Sequence, residues 1–291
     1  MKTYFVCSDI HSFYKEWMES LKSSGFDVDN PEHVLILLGD IFDRGREPYN
    51  VYKFIRSLPP ERVILVKGNH EYLLLELVNR KMPFDHDFHN GTFQTLVDLY
   101  KNPWKEAKKW IKKHYFEYKD KDQLHIDANE YAKKLVEKLY NNKKINEIVK
   151  WINSSSWLNY FELGQYIFVH SFIPLKGETP KTYFHNWRDY ADKQMWEQCV
   201  WGCPYELYLA GYFKEEEKNG KILVCGHWHT SDFYNKLLYQ NDNFKQLDIR
   251  TSNPIFKSDK YPGLIGIDAC TALTKKVNVL VIKESDLMEL T

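Results

Sequence analysis

The sequence has no net charge of either sign and no long hydrophobic run. Its 291 residues include 40 Lys and Arg against 40 Asp and Glu, so the formal net charge is zero. Proteins dedicated to nucleic acids usually carry a basic excess, so this balance argues against that class. No apolar stretch approaches the ~20 residues of a membrane span, so no membrane partner is expected. Asp9 and His11 interrupt the apolar N-terminal stretch that a signal peptide needs.

Cysteine is also scarce, with five scattered residues. Only Cys199 and Cys203 lie close together, and no second pair completes a zinc site beside them. We therefore expect free thiols and a cytoplasmic location. Repeats, low-complexity tracts and Gly/Ser linkers are missing as well, while 43% hydrophobic and 27% charged residues are ordinary for globular proteins. These features predict a single domain over residues 1–291.

Short apolar runs of β-forming residues predict strands along most of the chain. They lie at 3–8, 33–38, 62–66, 166–169, 221–225, 263–268 and 277–282. Helical spacing follows the first three runs, over 12–24, 48–57 and from Glu71 to about Asn79. This repetition of strand, loop and helix is typical of an α/β domain.

Residues 82–155 differ from this pattern and are predicted to form a helical cap inserted into the domain. Residues 101–150 contain 14 Lys and no Arg, against 8 Asp and Glu. Apolar residues recur at helical spacing over 129–150. We interpret the lysine excess as a solvated face rather than a binding patch.

Polar side chains follow the predicted strands at the points where they end. They are Asp9, His11, Asp40, Asn69, His170, His227 and His229. Ligand sites of α/β sheets lie outside the carboxyl ends of strands, so these side chains should converge. Carboxylate, imidazole and amide groups without a thiolate suit Mn, Fe or Zn. The set is too large for one ion with an open position, and it suits two ions that share a carboxylate. Such a pair can clamp the oxygens of a displacement at phosphorus.

Each motif alone also has an ordinary structural interpretation. The segment from Gly39 to Gly45 is rich in turn-forming residues, and Asn69 would cap a helix without touching a metal. A lone His170 after an apolar strand is often a buried, hydrogen-bonded histidine. The order and co-occurrence of the motifs favour the binuclear site, and no organic cofactor is expected.

The ordered motifs resemble those of the calcineurin-like metallophosphoesterase superfamily. They are Asp9-x-His11, Gly39-Asp40-x-x-Asp43-Arg44-Gly45, Gly68-Asn69-His70-Glu71, Val169-His170 and Gly226-His227-x-His229. The second and third motifs are similar in sequence to those of the Ser/Thr protein phosphatase branch. This branch includes bacterial and phage phosphatases and symmetrical diadenosine-tetraphosphate hydrolases. A segment from Asn90 to Leu96 also looks like one in bacterial members. The resemblance covers roughly 1–100 and 160–285, and it implies two mostly β sheets packed face to face with helices outside.

The resemblance also implies two sets of metal ligands that share Asp40. The first set is Asp9, His11 and Asp40, joined in the wider superfamily by His229, and the second set is Asp40, Asn69, His170 and His227. It implies in addition that His70 is the general acid and that Asp43 orients it by a hydrogen bond. Arg44 would bind phosphoryl oxygens, with Asn69 and Arg188 as further substrate contacts. An exposed structural role remains open for Arg188.

Two departures from that branch concern the substrate. Ser171-Phe172 stands where the branch usually has a small residue and Gly, which allows a differently shaped substrate pocket. His229 is present where the branch commonly lacks a second histidine. We expect a metal-dependent phosphomonoesterase, similar to Ser/Thr protein phosphatases, that hydrolyses a phosphorylated protein or a small phosphoester by in-line attack of metal-activated hydroxide.

Three other functions are weighed against this one. A hydrolase of diadenosine tetraphosphate or another nucleotide shares the motifs, and the 16% aromatic content would allow base stacking. His229 and the Lys-rich cap suggest a nucleic-acid phosphodiesterase, against which the zero net charge and the Asp43-Arg44-Gly45 spelling argue. A non-catalytic interaction module, like the retromer subunit of this fold, is disfavoured by the intact ligand set.

Overall fold

Two β-sheets packed face to face form the centre of the protein, with helices on their outer faces. The structure is a computed structural model that describes residues 1–100, 130, 139, 142–175, 187–190 and 192–288. In chain order the strands are β1 (Thr3–Cys7), β2 (His33–Leu37), β3 (Val63–Val66), β4 (Trp157–Leu158), β5 (Phe161–Leu163), β6 (Tyr166–Phe168), β7 (Ile222–His229), β8 (Leu264–Asp268) and β9 (Leu280–Lys283).

The helices of the first half lie on the outer side of the first sheet. They are α1 (Tyr14–Ser23), α2 (Pro48–Ser57), α3 (Asn69–Arg80), α4 (Asp85–His89), α5 (Thr92–Tyr100) and α6 (Lys143–Ile152). The second half contributes shorter helices, which are α7 (Trp187–Tyr190), α8 (Lys193–Cys199), α9 (Pro204–Leu209), α10 (Lys214–Lys218), α11 (Thr230–Phe233) and α12 (Thr271–Thr274).

The first sheet has the order β4-β3-β2-β1-β9, and the second has the order β5-β6-β7-β8. Strands β1 to β4 run parallel, as do β6 to β8, whereas β9 and β5 are antiparallel edge strands. The carboxyl ends of the parallel strands of each sheet therefore meet at one edge. This is the edge at which the sequence places its polar motifs.

Strict alternation of side chains divides the core into three apolar layers. Along β1, Tyr4 and Val6 pack between the sheets, while Phe5 and Cys7 face the helices of the first half. A third layer, which includes Leu223 of β7, lies between the second sheet and its helices. Apolar residues at every position of a strand are required here, because both faces of each sheet are covered.

The predicted fold class is confirmed, since two mixed sheets are flanked by helices. The last predicted strand, at 277–282, is shifted, because pairing with β1 begins only at Leu280. Much of the predicted cap over 82–155 lies outside the described residues, so the division into domain and cap stays a prediction. Its described helices α5 and α6 bury Leu96 and Ile148 in the same apolar layer as the first sheet.

Two expectations from composition can be compared with the described residues. All five cysteines are free thiols. No described helix has both the length and the apolar character needed to cross a membrane.

Candidate active site

The predicted ligands follow their strands through sharply turned backbone. Asp9, His11, Asp40 and His227 all have left-handed conformations, with φ of 53°, 50°, 52° and 65°. This region costs a non-glycine residue about 1 kcal/mol or more, so contacts elsewhere must hold these residues in place. The turns send each side chain back over the edge of the sheets, where the two sheets meet.

Asp40 is shared by two groups of side chains that could each hold a metal ion. His11, Asp40 and His70 form the first group, and Asp40, His170 and His227 form the second, with ligand atoms within 4.8 Å of one another in each group. The Nε2 atoms of His11 and His70 each lie 3.8 Å from Oδ2 of Asp40. Nε2 of His170 lies 3.4 Å from the other carboxylate oxygen, Oδ1.

Asp9 and Asn69 stand beside these groups. Oδ1 of Asp9 is 3.9 Å from Nε2 of His11, and Oδ1 of Asn69 is 2.9 Å from Nε2 of His170. Of the seven residues named in these two groups and beside them, all but His227 are buried. The structure therefore brings six of the seven predicted ligands to one cluster.

The orientation of two imidazoles indicates that a cation belongs in this cluster. Nδ1 of His11 donates to the carbonyl of Phe42 (2.9 Å), and Nδ1 of His170 donates to the carbonyl of Leu38 (2.6 Å). A ring that carries its proton on Nδ1 presents a lone pair on Nε2, and in both residues Nε2 faces carboxylate or amide oxygens, which are also acceptors. Acceptors that converge without a donor fit a metal ion, and a backbone carbonyl behind a histidine is the usual partner of a ligating ring.

The protonation states agree with this arrangement. Burial and the positive charge of Arg44 hold the pKa of His11 well below its usual range. Burial and the neighbouring His170 lower the pKa of His227 to about 3. Burial raises the pKa of Asp40, but the surrounding imidazoles outweigh it and bring the value below the usual range. Imidazoles around an ionised carboxylate are a donor set for zinc or a first-row transition metal.

Glu71 holds the backbone of the shared carboxylate and was given no role by the sequence. Its buried carboxylate accepts hydrogen bonds from the backbone N–H groups of Asp40 (2.8 Å), Ile41 (3.0 Å) and Gly68 (2.8 Å). It thereby joins the loops that follow β2 and β3. The signal was visible in the sequence, because Glu at the third position of a helix commonly reaches back to the residue before it.

Asp43, Arg44 and His70 form a connected group beside Asp40. Nδ1 of His70 donates to Oδ2 of Asp43 at 2.7 Å, and Nη2 of Arg44 lies 3.2 Å from Nε2 of His70. Burial lowers the pKa of His70, but the charges of Asp40 and Asp43 outweigh it and raise the pKa above its usual value. Arg44 is exposed, so its guanidinium can reach a ligand from solvent.

His229 lies apart from the two groups of described residues. Its Nε2 is 3.9 Å from Oδ2 of Asp268, and its Nδ1 is 3.7 Å from Oδ2 of Asp232. Burial and the charge of Arg44 lower its pKa to about 4, so the ring is neutral and its role as a ligand stays a prediction.

Arg188 and Phe172 are engaged elsewhere. The guanidinium of Arg188 is paired with Glu162 and with both carboxylate oxygens of Glu216 (2.7 and 3.0 Å). These ion pairs favour the structural interpretation that the sequence left open. Phe172 packs into the apolar layer outside the second sheet, where it is 1% exposed.

The chain is similar to known proteins along much of its length. The family model described as calcineurin-like phosphoesterase matches residues 2–231. A symmetrical bis(5'-nucleosyl)-tetraphosphatase of Buchnera aphidicola subsp. Baizongia pistaciae is 39% identical over 77 residues, and this match spans only 26% of each chain. The corresponding protein of Buchnera aphidicola subsp. Schizaphis graminum is 25% identical over 90% of this chain and 68% of its own.

Protein phosphatases are similar as well. The serine/threonine-protein phosphatase SIT4 of Candida albicans is 34% identical over 23% of this chain and 22% of its own. A cold-active protein-tyrosine phosphatase of a Shewanella species has the same fold, with a TM-score of 0.50 and 14% identity over 97% of this chain and 76% of its own. Because the family model covers most of the sequence and seven of the nine described strands, the chain belongs to the calcineurin-like phosphoesterase family, whose members hydrolyse phosphoesters.

Proposed function

We propose that this protein is a binuclear metal-dependent phosphomonoesterase that acts on phosphorylated protein or a small phosphoester. The observation that carries the proposal is the group formed by Asp43, His70 and Arg44 beside Asp40. It combines a proton donor and an anion-binding guanidinium at one edge of a cluster of metal-ligand side chains.

Two ions of the Mn, Fe or Zn class would be held around Asp40. The ligands would be Asp9 and His11 on one side and Asn69, His170 and His227 on the other, with His229 as a further candidate. When bound, such ions supply Lewis acidity, which lowers the pKa of a coordinated water and offsets charge on the phosphoryl group.

The remaining steps belong to side chains of this chain. Arg44 binds phosphoryl oxygens through two parallel N–H groups, which fits a dianionic monoester better than a monoanionic diester. His70 holds a proton on Nε2 and transfers it to the departing oxygen, while Asp43 keeps Nδ1 protonated and the ring oriented. The charges of Asp40 and Asp43 raise the pKa of His70, which favours its protonated form.

A symmetrical dinucleotide tetraphosphate is the second candidate substrate. A relative with that printed activity matches 90% of this chain, whereas the serine/threonine phosphatase of Candida albicans matches 23%. In addition, Trp201 is 49% exposed and lies with its ring 6.3 Å from that of His227, where a base could stack. The same metals and the same acid would serve either substrate.

The test is a comparison of four substrates with the Mn-loaded protein. They are p-nitrophenyl phosphate, bis-p-nitrophenyl phosphate, a phosphoserine peptide and diadenosine tetraphosphate. We expect kcat/KM to be highest for the peptide, and a His70→Asn variant should keep its metal while losing about 100-fold or more on the peptide. Higher kcat/KM for the dinucleotide would establish the second candidate, and preference for the diester would contradict the monoesterase proposal.

A further inference from the structure

The first turns of α5 face the loop that carries Asp43 and Arg44. Thr92 and Thr95 are both fully buried, and each hydroxyl donates to a different oxygen of the Asp43 carboxylate, at 2.7 Å in both cases. The hydroxyl of Thr95 also accepts from the backbone N–H of Asp43 at 3.0 Å. Together with Nδ1 of His70, three donors therefore surround this carboxylate.

Two further contacts join the same helix to the same loop. One turn beyond Thr95, Oδ1 of Asp98 accepts a hydrogen bond from Nη2 of Arg46 at 3.0 Å, and Oδ2 of Asp98 forms an ion pair with Nε of Arg46 at 2.9 Å. Before the helix, Gly91 has a φ of 83°, and a Cβ at this position would lie 2.6 Å from the backbone nitrogen of Arg44. Only glycine allows this approach without displacing the loop.

The loop needs this support because its backbone is strained. Asp43 and Arg44 are adjacent non-glycine residues with φ of 70° and 59°, a conformation that a free loop would leave. Leu96 and Leu99 of α5 are buried in the apolar layer of the first sheet and hold the helix in place. The helix is therefore a rigid support for Asp43.

We propose that Thr92 and Thr95 are positioning residues of the general acid, which act on His70 through Asp43. This inference rests on the proposed function. With both oxygens of Asp43 held by hydroxyls, the carboxylate keeps one orientation, and Nε2 of His70 stays directed towards Asp40. The loss of one hydroxyl lets the carboxylate rotate, and proton delivery to the leaving group becomes slower.

The experiment compares two aryl phosphates of similar shape. Phenyl phosphate has a basic leaving group that requires a proton, whereas p-nitrophenyl phosphate has a good leaving group that departs without one. We expect Thr95→Val to lower kcat by roughly ten-fold on phenyl phosphate and by less than about two-fold on p-nitrophenyl phosphate. Thr95→Ser keeps the hydroxyl and should restore the ratio of the two rates. Thr92→Val should change the ratio in the same direction, which covers the case that Thr95→Val does not fold.

A second measurement does not depend on turnover. The Nδ1–H proton of His70, bonded to Asp43, should give a downfield signal in nitrogen-edited NMR spectra that moves upfield or broadens in Thr95→Val and is retained in Thr95→Ser. Equal losses on both esters together with an unmoved signal would overturn the inference, as would equal behaviour of the Ser and Val variants. If the wild-type protein hydrolyses neither ester, the proposed function fails, and the NMR signal still decides whether the threonines position His70.

Discussion

The two sheets supply the two sides of the candidate site in different ways. The first sheet presents Asp9, Asp40 and Asn69 from loops that its own hydrogen bonds hold, above all those from the backbone to Glu71. The second sheet presents His170 and His227, which are held by contacts that cross to the first sheet. Nδ1 of His170 donates to Leu38 across the interface, and the backbone N–H of His227 donates to Asp9 at 3.0 Å.

This difference shows that only one side of the site is built locally. The first side depends on motifs within about one strand–helix unit of each other, whereas the second depends on how closely the two sheets approach. The two sheets approach closely at Gly226, where a Cβ would meet the side chains of Ser8 and Asp9. Damage to the local hydrogen bonds and damage to the sheet interface should therefore have different consequences.

Asp40→Asn should have the largest effect, because Asp40 belongs to both sides. A neutral amide bridges two cations poorly, so we expect loss of both ions and a fall in activity of more than about 100-fold. This fall exceeds the loss expected for residues that only hydrogen-bond to the metal ligands. Elemental analysis of the purified variant checks the metal content. Full occupancy in Asp40→Asn would contradict the shared-carboxylate arrangement.

Gly226→Ala should mainly disturb the side of the site that the second sheet supplies. The added Cβ would lie 1.9 Å from Oγ of Ser8 and 2.2 Å from Oδ2 of Asp9, so the sheets must separate locally. We expect a loss of stability of about 1–3 kcal/mol in urea unfolding and weaker metal binding. Gly263→Ala is the matched control, because its Cβ would meet the side chain of Glu217, at 2.9–3.0 Å, and lies away from the contact between the sheets. Equal losses in the two variants would argue against a special role for this contact.

Glu71→Gln should weaken the side of the site that the first sheet supplies, because Glu71 holds its loops. The amide NH₂ would face backbone donors that now bond to a carboxylate, so we expect a stability loss of about 1–3 kcal/mol. Glu76→Gln, on the exposed face of the same helix α3, should change the free energy of unfolding by less than about 0.5 kcal/mol. Denaturant titrations of both variants measure the difference, and a Glu71 variant as stable as the Glu76 control would refute this support.

Arg188→Met should have the smallest effect, and it separates the two roles considered for this residue. Burial raises the pKa of Glu162, but hydrogen bonds from Arg188 and Lys221 outweigh it, so the value lies below the usual range. Stability from this pair is thus present above the unfolded pKa of about 4.5 and is lost as the pH falls through the folded pKa. The free energy of unfolding of the variant should be lower by under about 1 kcal/mol at pH 7, and it should change less than that of the wild type as the pH falls. The KM of the variant should stay within about two-fold of wild type. A large rise in KM would instead support the phosphate-binding role.

Much of the fold was predictable because its signals are local. Buried strands such as β1 and β2 appear as continuous apolar runs, and the polar residues that follow them mark the edge of the sheets. The motif from Gly39 to Gly45 also carried the family resemblance, which the family model confirms. Boundaries such as the start of β9 were less certain, since they depend on which partner strand is present.

The sequence by itself determined the α/β class, the residue types at the strand ends and the chemistry that such residues support. Tertiary structure alone decided which side chains hydrogen-bond to these residues. Thr95 contacts Asp43 across 52 positions of the chain, and Arg188 contacts Glu162 and Glu216 rather than the metal cluster. The physical reason is that strand and turn preferences depend on neighbouring residues, whereas the partner of a buried polar group depends on which elements the packing brings together.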